Sequence, residues 1–212
     1  MRFTIRQVGD RAINPAKRTR RRARAEAVRV KSGAPHVVEY FHQLDDPYSH
    51  LTAQVLNKFA ARYDIVIKPR LVNATGGKNQ PRPAELAIWA HRDAILIAPH
   101  YGLNFPQDAP ETPSMDLQSL ASNYLAPLSP EAFLAEIEAV STALWTDDKE
   151  FFLQHANPSA HGEEARAAGS KRLAELNHYS GATFYYAGEW YWGVDRLFYF
   201  CLLYTSPSPR DG

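Results

Sequence analysis

Asp46, Tyr48 and Ser49 fall within four residues of one another in FHQLDDPYSHL (41–51), where a β-like run gives way to a helical one. A carboxylate, a phenol and a hydroxyl at a helix N-terminus are the materials of an active site. They are also the materials of a helix start. Asp at the N-cap with Pro47 at the first helical position satisfies orphan backbone N–H groups, and such a cap alone contributes about 1 kcal/mol. Local sequence leaves both readings open.

Other residue types narrow the chemistry. The single cysteine, Cys201, excludes an internal disulfide, a dithiol redox pair and a multi-cysteine zinc site. The eight histidines are scattered, with no pair at a helical metal-ligand spacing, so no metal is expected. Gly76-Gly77 lacks the lysine and Ser/Thr pattern of a phosphate loop. Trp190 and Trp192 alternate along one β-like run, where they would line a cleft or fill a core.

The chain has 212 residues, enough for one sizeable domain, and 45% of them are hydrophobic. No run approaches the length of a membrane span, and no apolar segment follows the basic N-terminal stretch as a secretory signal requires. With the lone cysteine, this suits a cytoplasmic protein. The net charge of +1 conceals an asymmetry: residues 1–31 hold eleven Lys/Arg against two acids, while the remainder carries −8. The run KRTRRRARAEAVRV (17–30) would suit nucleic acid or an anionic surface. It has no interleaved aromatics to stack on bases. A solvated helix lying against the acidic body or a partner therefore ranks first, and nucleic acid behind it.

The elements that must position these residues follow from periodicity. HVVEYFHQ (36–43) reads as a strand buried on both faces. In residues 47–63, Leu51, Val55 and Phe59 form one helical stripe. DIVIKPRLV (64–72) is a second strand, in which Pro69 removes one ladder donor and points to an edge or a strand end. Strand, helix, strand with short connections predicts a right-handed βαβ unit. A breaker-rich loop leads into helical pieces up to about residue 177. The clearest spans 129–145, with Ser129 as cap, Pro130 behind it, and Phe133, Ile137, Val140 and Leu144 on one face. TFYY (183–186) and EWYW (189–192) then form a hairpin about Ala187-Gly188, and Asp195 is placed to cap a last helix.

βαβ, a helical block, then ββα is the thioredoxin order, and the insertion marks its DsbA-like branch. Within it, the chain resembles the 2-hydroxychromene-2-carboxylate isomerases and kappa-class glutathione transferases. Three stretches carry the resemblance: Asp46-Pro47-Tyr48-Ser49 with Leu51; Gly77-Lys78-Asn79-Gln80-Pro81 with Tyr101-Gly102-Leu103 and Phe105-Pro106; and Gly188-Glu189-Trp190-Tyr191-Trp192-Gly193-Val194-Asp195-Arg196-Leu197. The fold class it implies is α/β, thioredoxin-like, with an all-helical insertion. The boundaries are a basic extension at 1–35, a core at 36–75 and 178–200, an insertion at 76–177, and a tail at 201–212. That tail, CLLYTSPSPRDG, breaks the helical period and looks non-native.

The resemblance also implies roles. Asn79 matches a glutathione-contacting residue. Val194 and Asp195 fall where the family binds the γ-glutamyl end at a helix start. Gly181 and Ala182 stand where backbone pairs with the tripeptide, and position 46 is the thiol-activating residue, with Tyr48 and Ser49 beside it.

At two of these positions the chain departs from the pattern. Position 46 is aspartate where the family has serine, or the first cysteine in the disulfide oxidoreductases. Position 182 is alanine where the thioredoxin fold has a cis-proline. Glutathione's thiol has a reference pKa of roughly 8.5, and only its thiolate is strongly nucleophilic. A serine hydroxyl can donate to that thiolate, whereas an ionised aspartate only accepts and repels it. With an ordinary pKa of ~3.9, Asp46 would also be about four to five units too weak as a base. Tyr48, Ser49 or His50 could supply the donor instead. A non-proline cis bond costs ~2.5–4 kcal/mol, so a trans Gly181–Ala182 bond is expected.

The expectation is therefore a glutathione-dependent isomerase or transferase acting on a small aromatic or electrophilic substrate. The alternative is a catalytically degenerate thioredoxin-like binding module, part of a longer protein, with a protein partner or a second copy of itself. Dithiol exchange is excluded.

Overall fold

A computed structural model describes residues 15–75, 80–155 and 161–197. Asn79, the 201–212 tail and Cys201 lie outside them. In chain order the elements are α1 (Pro15–Ser32), β1 (Val37–Gln43), α2 (Pro47–Arg62), β2 (Val66–Val72), α3 (Pro83–Ile97), a 3-10 turn (Ala98–Tyr101), α4 (Met115–Leu125), α5 (Pro130–Trp145), α6 (Lys149–Gln154), α7 (Gly162–Glu175), β3 (Thr183–Tyr186) and β4 (Glu189–Trp192). Residues 194–197 begin a further helical turn. The order of elements is the one that the periodicities predict, and it is the α/β, thioredoxin-like order with a helical insertion that the resemblance implies.

The four strands run in the order β2-β1-β3-β4. β1 pairs parallel with β2 and antiparallel with β3, and β3 pairs antiparallel with β4. β2 is thus an outer strand, which accommodates the missing N–H of Pro69. Ala187 and Gly188 both have positive φ, 50° and 82°, the geometry of a two-residue hairpin turn that matches strand twist.

On one face of the sheet, Tyr40, Ile67, Leu71 and Phe184 pack with Leu56 and Phe59 of α2 and with Phe133, Ile137, Val140 and Leu144 of α5. All four apolar positions expected on α5 are buried. On the other face Phe41 and Val72 pack against Leu173 of α7. α7 can lie this close because Gly169 faces β2: a Cβ there would stand 2.0 Å from the Leu71 carbonyl oxygen. Across the same strands, Glu39 accepts from Arg70 and from Arg172 of α7. Burial alone would raise the Glu39 carboxyl, but the hydrogen bonds from Arg172 and Arg70 outweigh it and hold it below the usual range.

The basic arm forms α1, and it is anchored to the body. Arg21 and Arg22 converge on Glu189 at the start of β4, at 2.8 and 2.6 Å. The Tyr191 hydroxyl donates to the same carboxylate. No helix among the described residues is long and apolar enough to cross a membrane.

Candidate functional site

The α2 start is built by short-range chemistry. Asp46, in extended backbone, is the N-cap; its Oδ2 accepts from Ser49 N at 2.9 Å and its Oδ1 from Tyr48 N at 3.4 Å, with Pro47 at N1. The Ser49 hydroxyl donates its proton to Asp46 Oδ2 at 2.8 Å and accepts from two backbone groups, Gln43 N at 3.2 Å and Ala182 N at 3.0 Å. One buried hydroxyl therefore joins the end of β1, the helix cap and the segment entering β3.

Gly181 closes this knot. A Cβ at that position would stand 2.6 Å from Gln43 Cβ and 3.3 Å from Asp46 Oδ2. Ala182, fully buried, takes φ 51°, a left-handed conformation that costs a non-glycine residue on the order of 1 kcal/mol. Its carbonyl accepts from Gly193 N at 2.8 Å, which ties it to the turn after β4. Among the described residues no peptide bond is cis, so Gly181–Ala182 is trans. Burial pushes the Asp46 carboxyl up to about 6, while the Ser49 hydrogen bonds pull the other way. It remains largely ionised at neutral pH, but it is less mismatched to a thiol than an ordinary aspartate.

Beside the knot lies a cavity of about 250 Å³. Tyr48 and Leu51 of α2 form one wall, Asp93, Ile97 and Tyr101 along α3 and its 3-10 turn a second, and Trp192, Gly193, Val194 and Asp195 after β4 the third. The Tyr48 hydroxyl donates to Asp93 Oδ2 at 2.7 Å, and its ring meets Trp192 edge-on at 5.4 Å. Burial raises the Tyr48 phenol well above its ordinary value, and the carboxylates of Asp93, Asp46 and Asp195 add to the rise. It keeps its proton throughout the neutral range. The helical turn starts at Val194, so Asp195 sits within its first turn and is not the cap; its Oδ2 lies 3.3 Å from Arg196 Nε.

Of the residues singled out in the sequence, Tyr48, Val194 and Asp195 therefore share one cavity. Asp46, Ser49, Gly181 and Ala182 form the closed knot next to it and do not line the cavity. Trp192 faces the cavity, while Trp190 stacks on His178 at 4.1 Å and packs on Phe41. Asp93 was missed. Its signal was present, since Asp93, Ile97 and Tyr101 follow one another at i, i+4 and i+8, but only the tertiary contact with Tyr48 gives that stripe a meaning. Among the described residues no group of three His, Cys, Asp or Glu side chains could hold a metal ion.

No protein-family model and no curated protein sequence matches the chain. Solved structures do. A 2-hydroxychromene-2-carboxylate isomerase superposes with a TM-score of 0.55 at 19% identity, over 77% of this chain and 92% of that one. A probable DsbA oxidoreductase from Streptomyces coelicolor superposes with a TM-score of 0.52 at 13% identity, over 74% of this chain and 83% of that one. The chain has a DsbA-like thioredoxin fold. At these identities the likeness speaks for the fold, and what happens in the cavity has to be argued from its own residues. This DsbA-like chain carries no cysteine at the start of α2, so the cavity has no dithiol chemistry of its own.

Proposed function

We propose that the cavity binds a small thiol ligand of the glutathione type, and that the protein works as a glutathione-dependent isomerase or transferase on a small aromatic or electrophilic substrate. The observation that carries this reading is convergence. Val194 and Asp195 are positions that the resemblance gives to the ligand, Tyr48 stands two residues after the thiol-activating position, and the three come from opposite ends of the chain to line one aromatic-walled cavity. Tyr101 and Trp192 offer flat apolar faces to an aromatic substrate.

Within this reading Asp46 and Ser49 do not touch the sulfur. Ser49 has one proton and gives it to Asp46, so the donor to a thiolate is Tyr48. Its phenol would turn from Asp93 to the sulfur, and Asp195 with the backbone at Val194 would hold the amino-acid end of the tripeptide. The test is calorimetric titration of reduced glutathione into the wild type and Asp195→Ala. Binding that the variant weakens at least about tenfold (about 1.4 kcal/mol) supports the reading. Absence of heat at millimolar ligand, from folded protein, refutes it.

A second reading has its own observation. In the knot the Ser49 hydroxyl, both Asp46 carboxylate oxygens and the Ala182 N–H and C=O are all engaged within the protein. This is what a catalytically degenerate binding module would show, and glutathione silence in the same titration would select it.

A further inference from the structure

We infer that α1 is a docking rail for double-stranded nucleic acid, held rigidly to the body and read by phosphates rather than bases. The sequence alone gave little reason for this, because the arm has no aromatics with which to grip unpaired bases. The structure changes the question from composition to orientation.

α1 has two differently charged sides. Arg21 and Arg22 are consumed by the buried Glu189 carboxylate, and Arg29 by Glu26 at 2.6 Å and the Ala34 carbonyl at 2.8 Å. Burial would raise Glu189, but hydrogen bonds from Arg22, Arg21 and Tyr191 outweigh it and hold the carboxyl below its usual range, so the anchor stays charged. Arg20, Arg24 and Lys31 are exposed. Their spacing of four and seven residues puts them within about 40° of one another around the helix. They form one cationic stripe about 16 Å long, on the side of the helix opposite Arg22 and Arg29.

Charge complementarity then selects the partner. A duplex carries one negative charge per about 1.7 Å of axis, so a stripe of about 16 Å meets a dense row of phosphates whatever the sequence. Phosphate contacts need neither aromatics nor a base-reading side chain. A membrane surface is a poorer match. An interfacial helix sinks large apolar side chains such as Trp, Phe or Leu, and α1 has nothing apolar larger than Val28 and Val30. A duplex offers a regular phosphate row that side-chain carboxylates on a protein surface do not have to reproduce. DNA and RNA duplexes share the required chemistry.

The experiment is fluorescence anisotropy of labelled 20-base-pair DNA and RNA duplexes with the full chain, from 50 to 200 mM salt. A single-stranded oligonucleotide, phosphatidylserine vesicles and sedimentation velocity of the protein alone run in parallel. The expected result is duplex binding at 50 mM salt, with log K falling against log salt at a slope of about −2 to −3, roughly 0.9 per phosphate-contacting cation. The double variant Arg20→Glu/Arg24→Glu, altered only at exposed positions, should flatten the slope by about two and lose at least tenfold in affinity at 50 mM. Circular dichroism checks that it remains folded. Equal binding to DNA and RNA supports phosphate reading, and a preference for one duplex assigns the source while keeping the rail. The inference is overturned by no duplex binding at 50 mM salt, by binding indifferent to the double variant, by preference for vesicles or single strands, or by salt-sensitive self-association that accounts for the charge.

Discussion

The Ser49 hydroxyl lies 3.0 Å from the backbone nitrogen of Ala182, a contact between residues 133 positions apart. It pins the segment entering β3 to the helix cap. Ser49→Ala removes a shared acceptor from the Gln43 and Ala182 N–H groups and a donor from Asp46. Each buried donor left without a partner costs about 1–3 kcal/mol. The variant should therefore be less stable by roughly 2–4 kcal/mol in urea unfolding, with an unchanged m-value. A loss below about 1 kcal/mol would mean that the knot is not what holds these segments together.

Asp46 makes an opposite prediction. Its folded pKa, about 6, is raised above the ordinary 3.8, so the folded state takes up its proton more readily than the unfolded chain. Its contribution is then fully present below pH 3.8 and is lost as pH rises through about 6. Asparagine is an equally good N-cap and carries no charge to bury. Asp46→Asn should be more stable than the wild type at pH 7.5 by on the order of 1–2 kcal/mol, and about equal to it at pH 4. Unfolding curves at the two pH values decide this, and equal differences at both would show that the carboxylate is not strained by burial.

Two core histidines govern the acid limb. His42 is fully buried against Tyr40, and burial, with the field of His50, holds it down to about 3. His50 bonds Ser141 Oγ at 2.9 Å, and burial lowers it to about 4. In both, the folded value lies below the unfolded ~6.5, so their stabilisation is present above pH 6.5 and is lost as pH falls toward 4. Between pH 7 and pH 5 the pair should remove roughly 3–4 kcal/mol, with Asp46 returning about 1. His42→Phe should flatten that slope by about half, measured as urea midpoints across the interval. Parallel pH profiles for variant and wild type would remove His42 from the account.

How much of this was legible in the sequence depends on how far apart the partners are. The α2 cap, the α5 face and the Ala187-Gly188 turn are local devices, each encoded within a few residues, and they appear where periodicity and capping rules put them. Edge placement of β2 was readable because Pro69 cannot donate. The knot was not readable: Asp46 looked like a cap, which it is, but its second partner Ser49 is turned inward only because Ala182 and Gln43 N–H groups arrive there through the sheet. Asp93 was silent for the same reason, an acid on a helix until Tyr48 reaches it from α2. Glu189 was quoted as part of a family-like run, and nothing local marks it as the anchor for Arg21 and Arg22, about 167 positions earlier in the chain.

Tyr48 offers the sharpest test of chemistry in the cavity, because it lines the cavity while loss of its hydroxyl should barely disturb the fold. Tyr48→Phe removes one partly exposed hydrogen bond to Asp93 and keeps the ring against Trp192, so stability should fall by about 1 kcal/mol at most. If the phenol donates to a bound thiolate, the glutathione thiol should ionise below its free value of roughly 8.5 in the wild-type complex and return upward by about one unit or more in the variant. Ultraviolet thiolate absorbance against pH reads this directly. On the proposed reading Asp195→Ala should behave differently, weakening binding while leaving the thiol's ionisation in the residual complex nearly unchanged, since the proposal places that residue at the other end of the ligand. The same ionisation in wild type and Tyr48→Phe would strip Tyr48 of the role. A wild-type thiol that stays near its free value would show that the neighbouring carboxylates Asp46, Asp93 and Asp195 dominate the site, and that this DsbA-like fold binds without activating.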